Sequence, residues 1–241
     1  MFVQLSGLLF EIKFCFAETK KHFKEFEAHP GNPVAVVHAE MDDFARAEPF
    51  FPEGASEDVK EWITLRRCFS DILPAFDRCL FHGAAMVFDG KVCLFTAPCG
   101  TGKTTQLILW RQMFPERTAI INGDKPILEF LEDGTIMVHP SPWKGKENCG
   151  YAPAAPLAYV VYLKQAAHDR IFPMPRREAV LFLFYQFFCP GEQETQTRKI
   201  CGFLEQMLKQ VPVWELENRG KSESVKVCFD ILTGGKDIRD E

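Results

Sequence analysis

The sequence predicts an α/β fold: a mixed β-sheet with a glycine-rich loop at its centre and helices towards the C-terminal end. Three observations lead to this prediction. An apolar run at 91–96 leads directly into a glycine-rich motif that opens a helix. Asp-Gly pairs at 89–90 and 133–134 each join two apolar runs, so two hairpins make the sheet partly antiparallel. Strand and helix patterns alternate along the remaining chain, as they do in α/β proteins.

The composition is that of a globular protein and excludes several other classes. Of 241 residues, 46% are hydrophobic and 25% charged, which excludes a disordered, collagen-like or coiled-coil chain. Lys and Arg number 28 and Asp and Glu 33, so the net charge is −5 and we expect no nucleic-acid partner. The longest uncharged run, 148–163, contains two prolines and is too short to cross a membrane.

The cysteines and the first residues indicate a compartment. The nine cysteines include no Cys-x-x-Cys pair, which disfavours a zinc ribbon or a disulfide framework. Most of them lie in apolar runs, as reduced core cysteines do. The first residues lack the basic region of a secretory signal. We therefore expect a cytoplasmic protein with no membrane partner.

The chain before the glycine-rich motif predicts an N-terminal region and the beginning of a larger domain. The elements predicted there are strands over 4–16 and 33–39, a surface loop over 40–57 and a helix over 57–79. This helix reaches the next apolar run, 80–88, without a linker. We therefore expect residues 1–77 to be a strand and helix region packed onto a kinase-like P-loop domain at 78–241.

The elements that follow the motif alternate between helices and strands. They are a helix over 106–114, a strand over 118–122, a hairpin of 127–131 and 135–139, a strand over 157–163, helices over 177–188 and 195–209, a strand over 211–216 and a closing helix over 223–232.

The glycine-rich motif is close to the Walker A pattern of nucleotide-binding loops. Its last three positions are Gly102, Lys103 and Thr104, while Ala97 replaces the first glycine. Glycines let successive N–H groups point into one concavity, and the helix N-terminus adds its dipole. The residues predicted to hold ATP are Pro98, Cys99, Gly100, Thr101, Gly102, Lys103, Thr104 and Thr105. Lys103 would follow the β- and γ-phosphates, and the Thr104 hydroxyl would ligate Mg²⁺.

A second polar turn follows the apolar strand at 118–122. Asp124 in this turn is the predicted partner of Mg²⁺ or the base that takes a proton from an acceptor hydroxyl; the alternative is a structural turn aspartate. Lys125 either meets a phosphate or is exposed.

The loop at 141–152 is a third candidate site segment. Lys146 and Glu147 are predicted to grip phosphates or an acidic peptide, and Trp143 to stack on a base or a peptide side chain. The alternative is a solvated loop with the tryptophan folded onto the surface. An arginine at 170, 176 or 177 would stabilise a transferring phosphoryl group, although an exposed role is favoured for each.

Four strings together resemble the HPr kinase/phosphorylase-like proteins, which share the nucleotide-site fold of PEP carboxykinases. They are Leu-Phe-His-Gly-Ala-Ala at 80–85 before the hairpin and motif, Ile-Asn-Gly-Asp-Lys-Pro at 121–126, Ser-Pro-Trp-Lys-Gly-Lys-Glu at 141–147 and Val-Pro-Val-Trp-Glu-Leu at 211–216. The last three are similar to a bacterial branch that accompanies ribosomally made, modified peptides. The resemblance covers roughly 78–232 and implies a serine kinase in which His82 lies near the reacting phosphate.

Two positions depart from that family. Thr105 stands where the family has Glu, and Gly123 stands where it has the first of two aspartates, which removes one carboxylate. We therefore expect a relative with an acceptor other than HPr. The hypotheses are a kinase acting on a serine of a precursor peptide or small carrier protein, a kinase of a small metabolite, and an ATP-binding accessory subunit without phosphoryl transfer. An oligomer is compatible with each.

Overall fold

The computed structural model describes residues 1–145, 148–150, 152–188 and 194–232. The strands are β1 (Phe2–Leu5), β2 (Leu8–Lys13), β3 (Ala35–His38), β4 (Arg78–Leu80), β5 (Ala84–Phe88), β6 (Lys91–Thr96), β7 (Thr118–Asn122), β8 (Ile127–Phe130), β9 (Ile136–His139), β10 (Ala155–Gln165), β11 (Arg170–Pro173) and β12 (Val213–Asn218). The α-helices are α1 (Ala17–Lys21), α2 (Met41–Ala47), α3 (Glu57–Ile72), α4 (Lys103–Met113), α5 (Arg176–Phe184), α6 (Glu194–Gln210) and α7 (Ser222–Leu232). None of the helices described is long and apolar enough to cross a bilayer.

The strands form two sheets. The small sheet has the order β1-β2-β3, with an antiparallel and a parallel pair. The central sheet has the order β4-β8-β9-β10-β6-β5-β7, and β12 pairs with β10 and β11. β10 is parallel to both β6 and β12, whereas the β5–β6 and β8–β9 hairpins are antiparallel. The predicted mixed α/β sheet with helices after it is confirmed.

Helices cover both faces of the central sheet because its strands alternate between two cores. On β5, Met86 and Phe88 join the core that contains Trp110 of α4, while Ala85 joins the other core. The second core receives Leu183 of α5 and residues of α6. This layering places α4, and therefore the glycine-rich loop before it, at one end of β6.

A third core joins the N-terminal region to the central sheet. Its members include Phe10 and Phe69 from residues 1–77, and Leu80 and Ile127 from strands β4 and β8. Within the N-terminal region, the carboxylate of the fully buried Glu61 accepts hydrogen bonds from the backbone N–H groups of Cys15 and Phe16. Helix α3 is therefore fixed to the segment between β2 and α1, and it also contributes to the shared core.

The N-terminal elements differ from the sequence expectation in two places. The strand predicted over 4–16 is a hairpin, because Ser6 and Gly7 both have positive φ and turn the chain between β1 and β2. The loop predicted over 40–57 contains α2. Asp43 stabilises its first turn by accepting a hydrogen bond from the backbone N–H of Glu40 at 2.9 Å.

Other differences are shifts or additions. The helix predicted over 57–79 ends at Ile72, before Pro74, and Asp77 in a left-handed conformation leads the chain into β4. The strand predicted from Leu80 to Phe88 is divided between β4 and β5. β11 was not predicted; it is a short strand that pairs only with β12 among the strands described.

Trp143 is a core residue, so both sequence interpretations of it were wrong. Its side chain is 2% exposed and packs among Phe23, Trp62 and Phe69, with ring centroids 5.4–5.8 Å away. Its indole Nε1 donates to the backbone oxygen of Trp62 at 3.3 Å. Trp143 therefore connects the segment after β9 to the N-terminal region and is not available to stack on a ligand.

We expect Trp143→Ala to lower the free energy of unfolding by about 3–5 kcal/mol, because it leaves a large cavity in the shared core. Chemical denaturation followed by circular dichroism measures this change. Tyr185→Ala is the control, since this aromatic side chain is 81% exposed; we expect a change within about 0.5 kcal/mol. Equal effects of the two variants would contradict the buried position of Trp143.

Candidate functional site

The glycine-rich loop lies between the end of β6 and the start of α4, as the sequence predicts. Gly100 and Gly102 have φ of 80° and 107°, a conformation that favours glycine. The Thr101 hydroxyl donates to the Pro98 oxygen at 2.8 Å, and Gln165 of β10 reaches the Gly100 oxygen at 3.5 Å. The loop is therefore shaped by its own glycines and closed by a side-chain bond.

Lys103 turns its side chain back into this loop. Its Nζ donates to the carbonyl oxygens of Ala97 and Pro98 at 2.9 and 3.2 Å, and the residue is 8% exposed. Within the described part of the chain Lys103 forms no salt bridge. Burial lowers the pKa of Lys103, and the nearby charge of Asp124 opposes this effect. A buried ammonium held only by carbonyl dipoles is an attractive partner for an anion.

Asp124 lies in a turn that is held by its neighbours. The Asn122 side-chain oxygen accepts hydrogen bonds from the backbone N–H groups of Asp124 and Lys125 at 2.8 and 2.7 Å. The Asn122 amide in turn donates to the backbone oxygen of Ser141 at 3.1 Å. The backbone oxygen of Asp124 accepts from Gly83 at 2.9 Å, which brings the turn beside the residue after His82.

The Asp124 carboxylate lies beside one cation and one imidazole. Lys125 forms an ion pair with its Oδ2. His82 places Nε2 3.5 Å from its Oδ1. The structure thus places His82 and Asp124 side by side, and Asp124 also acts on the charge of Lys103. Lys125 is half-buried and paired with Asp124, so the interpretation of Lys125 as exposed was wrong. Its contact with a phosphate stays a prediction.

His82 is held as a neutral imidazole. Burial, followed by the positive charge of Lys103, lowers the pKa of His82 to about 4. Its Nδ1 lies 3.1 Å from Oε1 of Gln186, whose amide nitrogen is directed at the Phe182 oxygen at 3.4 Å. With the Gln186 oxygen accepting, the proton is assigned to Nδ1, so the lone pair of Nε2 faces Asp124.

The remaining predicted site residues differ in how far they are exposed to solvent. Thr104 is half-buried in the first turn of α4, while Thr105 and Cys99 are exposed. Lys146 and Glu147 lie outside the described residues. The neighbouring Lys144 is buried and forms an ion pair with Glu25.

Two of the three arginines that the sequence offered for phosphoryl transfer bind elsewhere, and Arg177 is exposed. Arg170 pairs with Glu217 at 3.2 Å, and Arg176 donates to the backbone oxygen of Leu208 at 3.2 Å. Sequence reasoning missed Gln186 and Arg66, whose guanidinium experiences the charge of Asp124. Neither residue belongs to a motif, and each reaches the site only through the fold.

Gly123 occupies a position where no side chain fits. A Cβ there would lie 2.6 Å from the Lys144 oxygen and 2.7 Å from the Cys149 sulfur. The Gly123 N–H also donates to the Cys149 oxygen at 3.0 Å. An aspartate at this position would therefore require the loop after β9 to move, so the 123–125 turn offers one carboxylate, that of Asp124.

The donor set fits Mg²⁺ only together with a nucleotide. Across the described ranges there is no group of three or more His, Cys, Asp or Glu side chains that would hold a metal ion. Thr104 and Asp124 offer one hydroxyl and one carboxylate. Mg²⁺ commonly binds proteins through so few side chains when the phosphates of a nucleotide supply further oxygen ligands. The buried Lys103 ammonium fits the phosphates themselves.

Comparison with known proteins finds similarity among solved structures but not among sequences. No protein-family model and no curated protein matches the sequence. Among solved structures, the chain is similar to the Hpr(Ser) kinase/phosphatase from Coxiella burnetii, with a TM-score of 0.36 and 8% identity, over 66% of this chain and 99% of that chain.

We expect Gly123→Ala to lower the free energy of unfolding by about 1–3 kcal/mol, because its methyl group overlaps backbone atoms. Gly202→Ala is the matched control, since a Cβ at this position in α6 meets nothing within 4 Å. It should stabilise the protein by about 0.5–1 kcal/mol through helix propensity. Denaturant titrations compare the two variants. An unchanged free energy of unfolding in Gly123→Ala would show that the loop after β9 can move to make room for the methyl group.

We expect the free energy of unfolding to fall as pH is lowered from 6.5 towards about 4. In this range His82 binds a proton in the unfolded protein but stays neutral in the folded protein. The total effect is on the order of 3 kcal/mol. It should be missing in His82→Gln and retained in His29→Gln, a control at an exposed position. Denaturation at several pH values measures this effect. If the free energy of unfolding depended on pH identically in the wild type and in His82→Gln, the assignment of a neutral His82 would be refuted.

Proposed function

We propose that this protein is an ATP- and Mg²⁺-dependent kinase-like phosphotransferase that acts on a serine of a peptide or small protein. The observation that carries the proposal is the buried Lys103 ammonium. It lies at the end of β6 on two carbonyl oxygens, within the electrostatic reach of Asp124 and His82. A cation, a carboxylate and a neutral imidazole around one loop are the groups that phosphoryl transfer needs.

Lys103 and the loop supply the binding half of this function. The positive φ values of Gly100 and Gly102 let backbone N–H groups face a phosphate chain, and α4 adds the positive end of its dipole. Lys103 would exchange its carbonyl partners for phosphate oxygens, which neutralise the buried charge. Bound Mg²⁺, held by Thr104 and Asp124, would offset the charge of the phosphates.

Asp124 and His82 supply the groups that handle the acceptor proton. With Nδ1–H donated to Gln186, His82 presents the Nε2 lone pair next to Asp124 Oδ1. Two acceptors 3.5 Å apart can orient a hydroxyl hydrogen and remove it as the oxygen attacks phosphorus. The resemblance of the motif strings to serine kinases of modified peptides supports a peptide serine as that hydroxyl.

One observation favours a second function, an ATP-binding accessory subunit that does not transfer the phosphoryl group. The only acid in the turn is Asp124, which is already paired with Lys125, and position 123 has no room for another. If the ion pair persists when nucleotide binds, the carboxylate is unavailable to the acceptor. Nucleotide would then bind through Lys103 without reaction.

We expect transfer of label from γ-labelled ATP to a serine peptide library in the presence of Mg²⁺. Lys103→Ala should reduce this transfer about 10²–10³-fold, because it removes the charge that faces the phosphates. Asp124→Asn should reduce it about 10²–10⁴-fold by removing the acid–base group. Lys91→Ala, at an exposed lysine that begins β6, is the control and should transfer at the wild-type rate.

Other outcomes separate the alternatives. ATP binding that depends on Lys103, with no label on any peptide or on a metabolite pool, would support the accessory function. Label on a metabolite alone would identify a small-molecule kinase. Failure of the wild-type protein to bind ATP would refute nucleotide binding by the loop.

A further inference from the structure

Arg66 is a cation from the N-terminal region that reaches the candidate site. It lies on α3, and its guanidinium carbon is 5.2 Å from the centre of the Phe188 ring. Its Nε is buried and has no hydrogen-bond partner among the residues that the structure describes. Arg66 also forms no salt bridge within those residues. A buried donor without a partner is costly, and in a native protein it often marks a place where a ligand binds.

Phe188 connects Arg66 to the turn that carries Asp124. Lys125 places its Nζ 5.8 Å from the centre of the same ring and forms the ion pair with Asp124. The Phe188 backbone N–H donates to the oxygen of Leu80, two residues before His82, at 3.0 Å. Burial lowers the pKa of Arg66, and the charge of Asp124 opposes that effect. Arg66 and Lys125 therefore both lie at the Phe188 ring, and each is close enough to Asp124 for its pKa to respond to that carboxylate.

The charges of the described side chains around Asp124 do not sum to zero. Among the described side chains around Asp124, Arg66, Lys103 and Lys125 are positive, Asp124 is negative and His82 is neutral, so these five have a net charge of about +2. Lys103 belongs to the nucleotide loop, whereas Arg66 belongs to a helix outside the nucleotide domain. A doubly negative group on the acceptor side would balance the excess, and a phosphate monoester carries about that charge at neutral pH.

We propose that Arg66 binds the phosphate monoester on the acceptor side of the site, that is, the phosphorylated serine after transfer, with Lys125 beside it. An arginine suits this role because its planar fork donates two parallel hydrogen bonds to phosphate oxygens. The proposal rests on the proposed function. It gives residues 1–77 a part in the chemistry: α3 would complete a site whose other residues come from the central sheet.

Titration calorimetry with inorganic phosphate, on the full chain loaded with ADP and Mg²⁺, tests the inference. We expect Arg66→Gln to weaken phosphate binding at least tenfold. Arg66→Lys keeps the charge but loses the fork, so we expect an intermediate loss. Arg67→Gln is the matched control: it removes the same charge from the next residue of α3, whose side chain stacks on Phe50 instead. ADP affinity should be unchanged in all three variants.

The outcomes distinguish this inference from the proposed function. Equal phosphate affinity in Arg66→Gln and Arg67→Gln, or no phosphate binding by the wild type, overturns the inference even if ATP is bound and its phosphoryl group transferred. If ADP fails to bind, the proposed function falls, while phosphate binding lost only in the Arg66 variants still supports the anion site. Thermal melting without phosphate shows whether Arg66→Gln is folded; if it is not, Arg66→Lys decides.

Discussion

The candidate site depends on how one carboxylate is held among several cations. Asp124 pairs with Lys125 and lies close enough to Lys103 and Arg66 to oppose the lowering of their pKa values by burial. Its turn is fixed by Asn122 and by the backbone of Gly83, so the backbone that carries the carboxylate is held in place. Among the described residues, one acid does not neutralise three buried or half-buried cations, and this excess charge is the basis of the proposed anion binding.

Close packing explains why no acid stands at position 123, directly before Asp124. The loop after β9 lies directly on the end of β7: Gly123 faces Lys144 and Cys149, and a Cβ at Gly150 would overlap Ile121 and Asn122. The same loop carries Trp143 into the shared core. Any residue with a side chain at position 123 would therefore disturb both the site and the contact with the N-terminal region. Stability and chemistry constrain this segment together.

Local sequence signals predicted most of the sheet and only half of the candidate site. The strand, glycine loop and helix around Lys103 and the two Asp-Gly hairpins are encoded by neighbouring residues, and they lie where the sequence placed them. Arg66 and Gln186 could not be predicted, because each is brought to Asp124 or His82 from a distant part of the chain. Trp143 misled the prediction because its polar neighbours are typical of a loop, whereas tertiary packing buries it. α2 was missed because its acidic residues, and the prolines that follow it at positions 49 and 52, are equally common in loops.

The bonds of Lys103 to its own loop have a consequence for the thermodynamics of binding. A free lysine side chain loses up to about 2 kcal/mol of rotamer entropy when it is ordered. Here that loss occurs during folding, because Nζ is already held by Ala97 and Pro98. An incoming phosphate would exchange one set of oxygen acceptors for another around an ammonium that scarcely moves. Association at this loop should therefore show a small conformational entropy change and a heat set mainly by the exchange of hydrogen bonds.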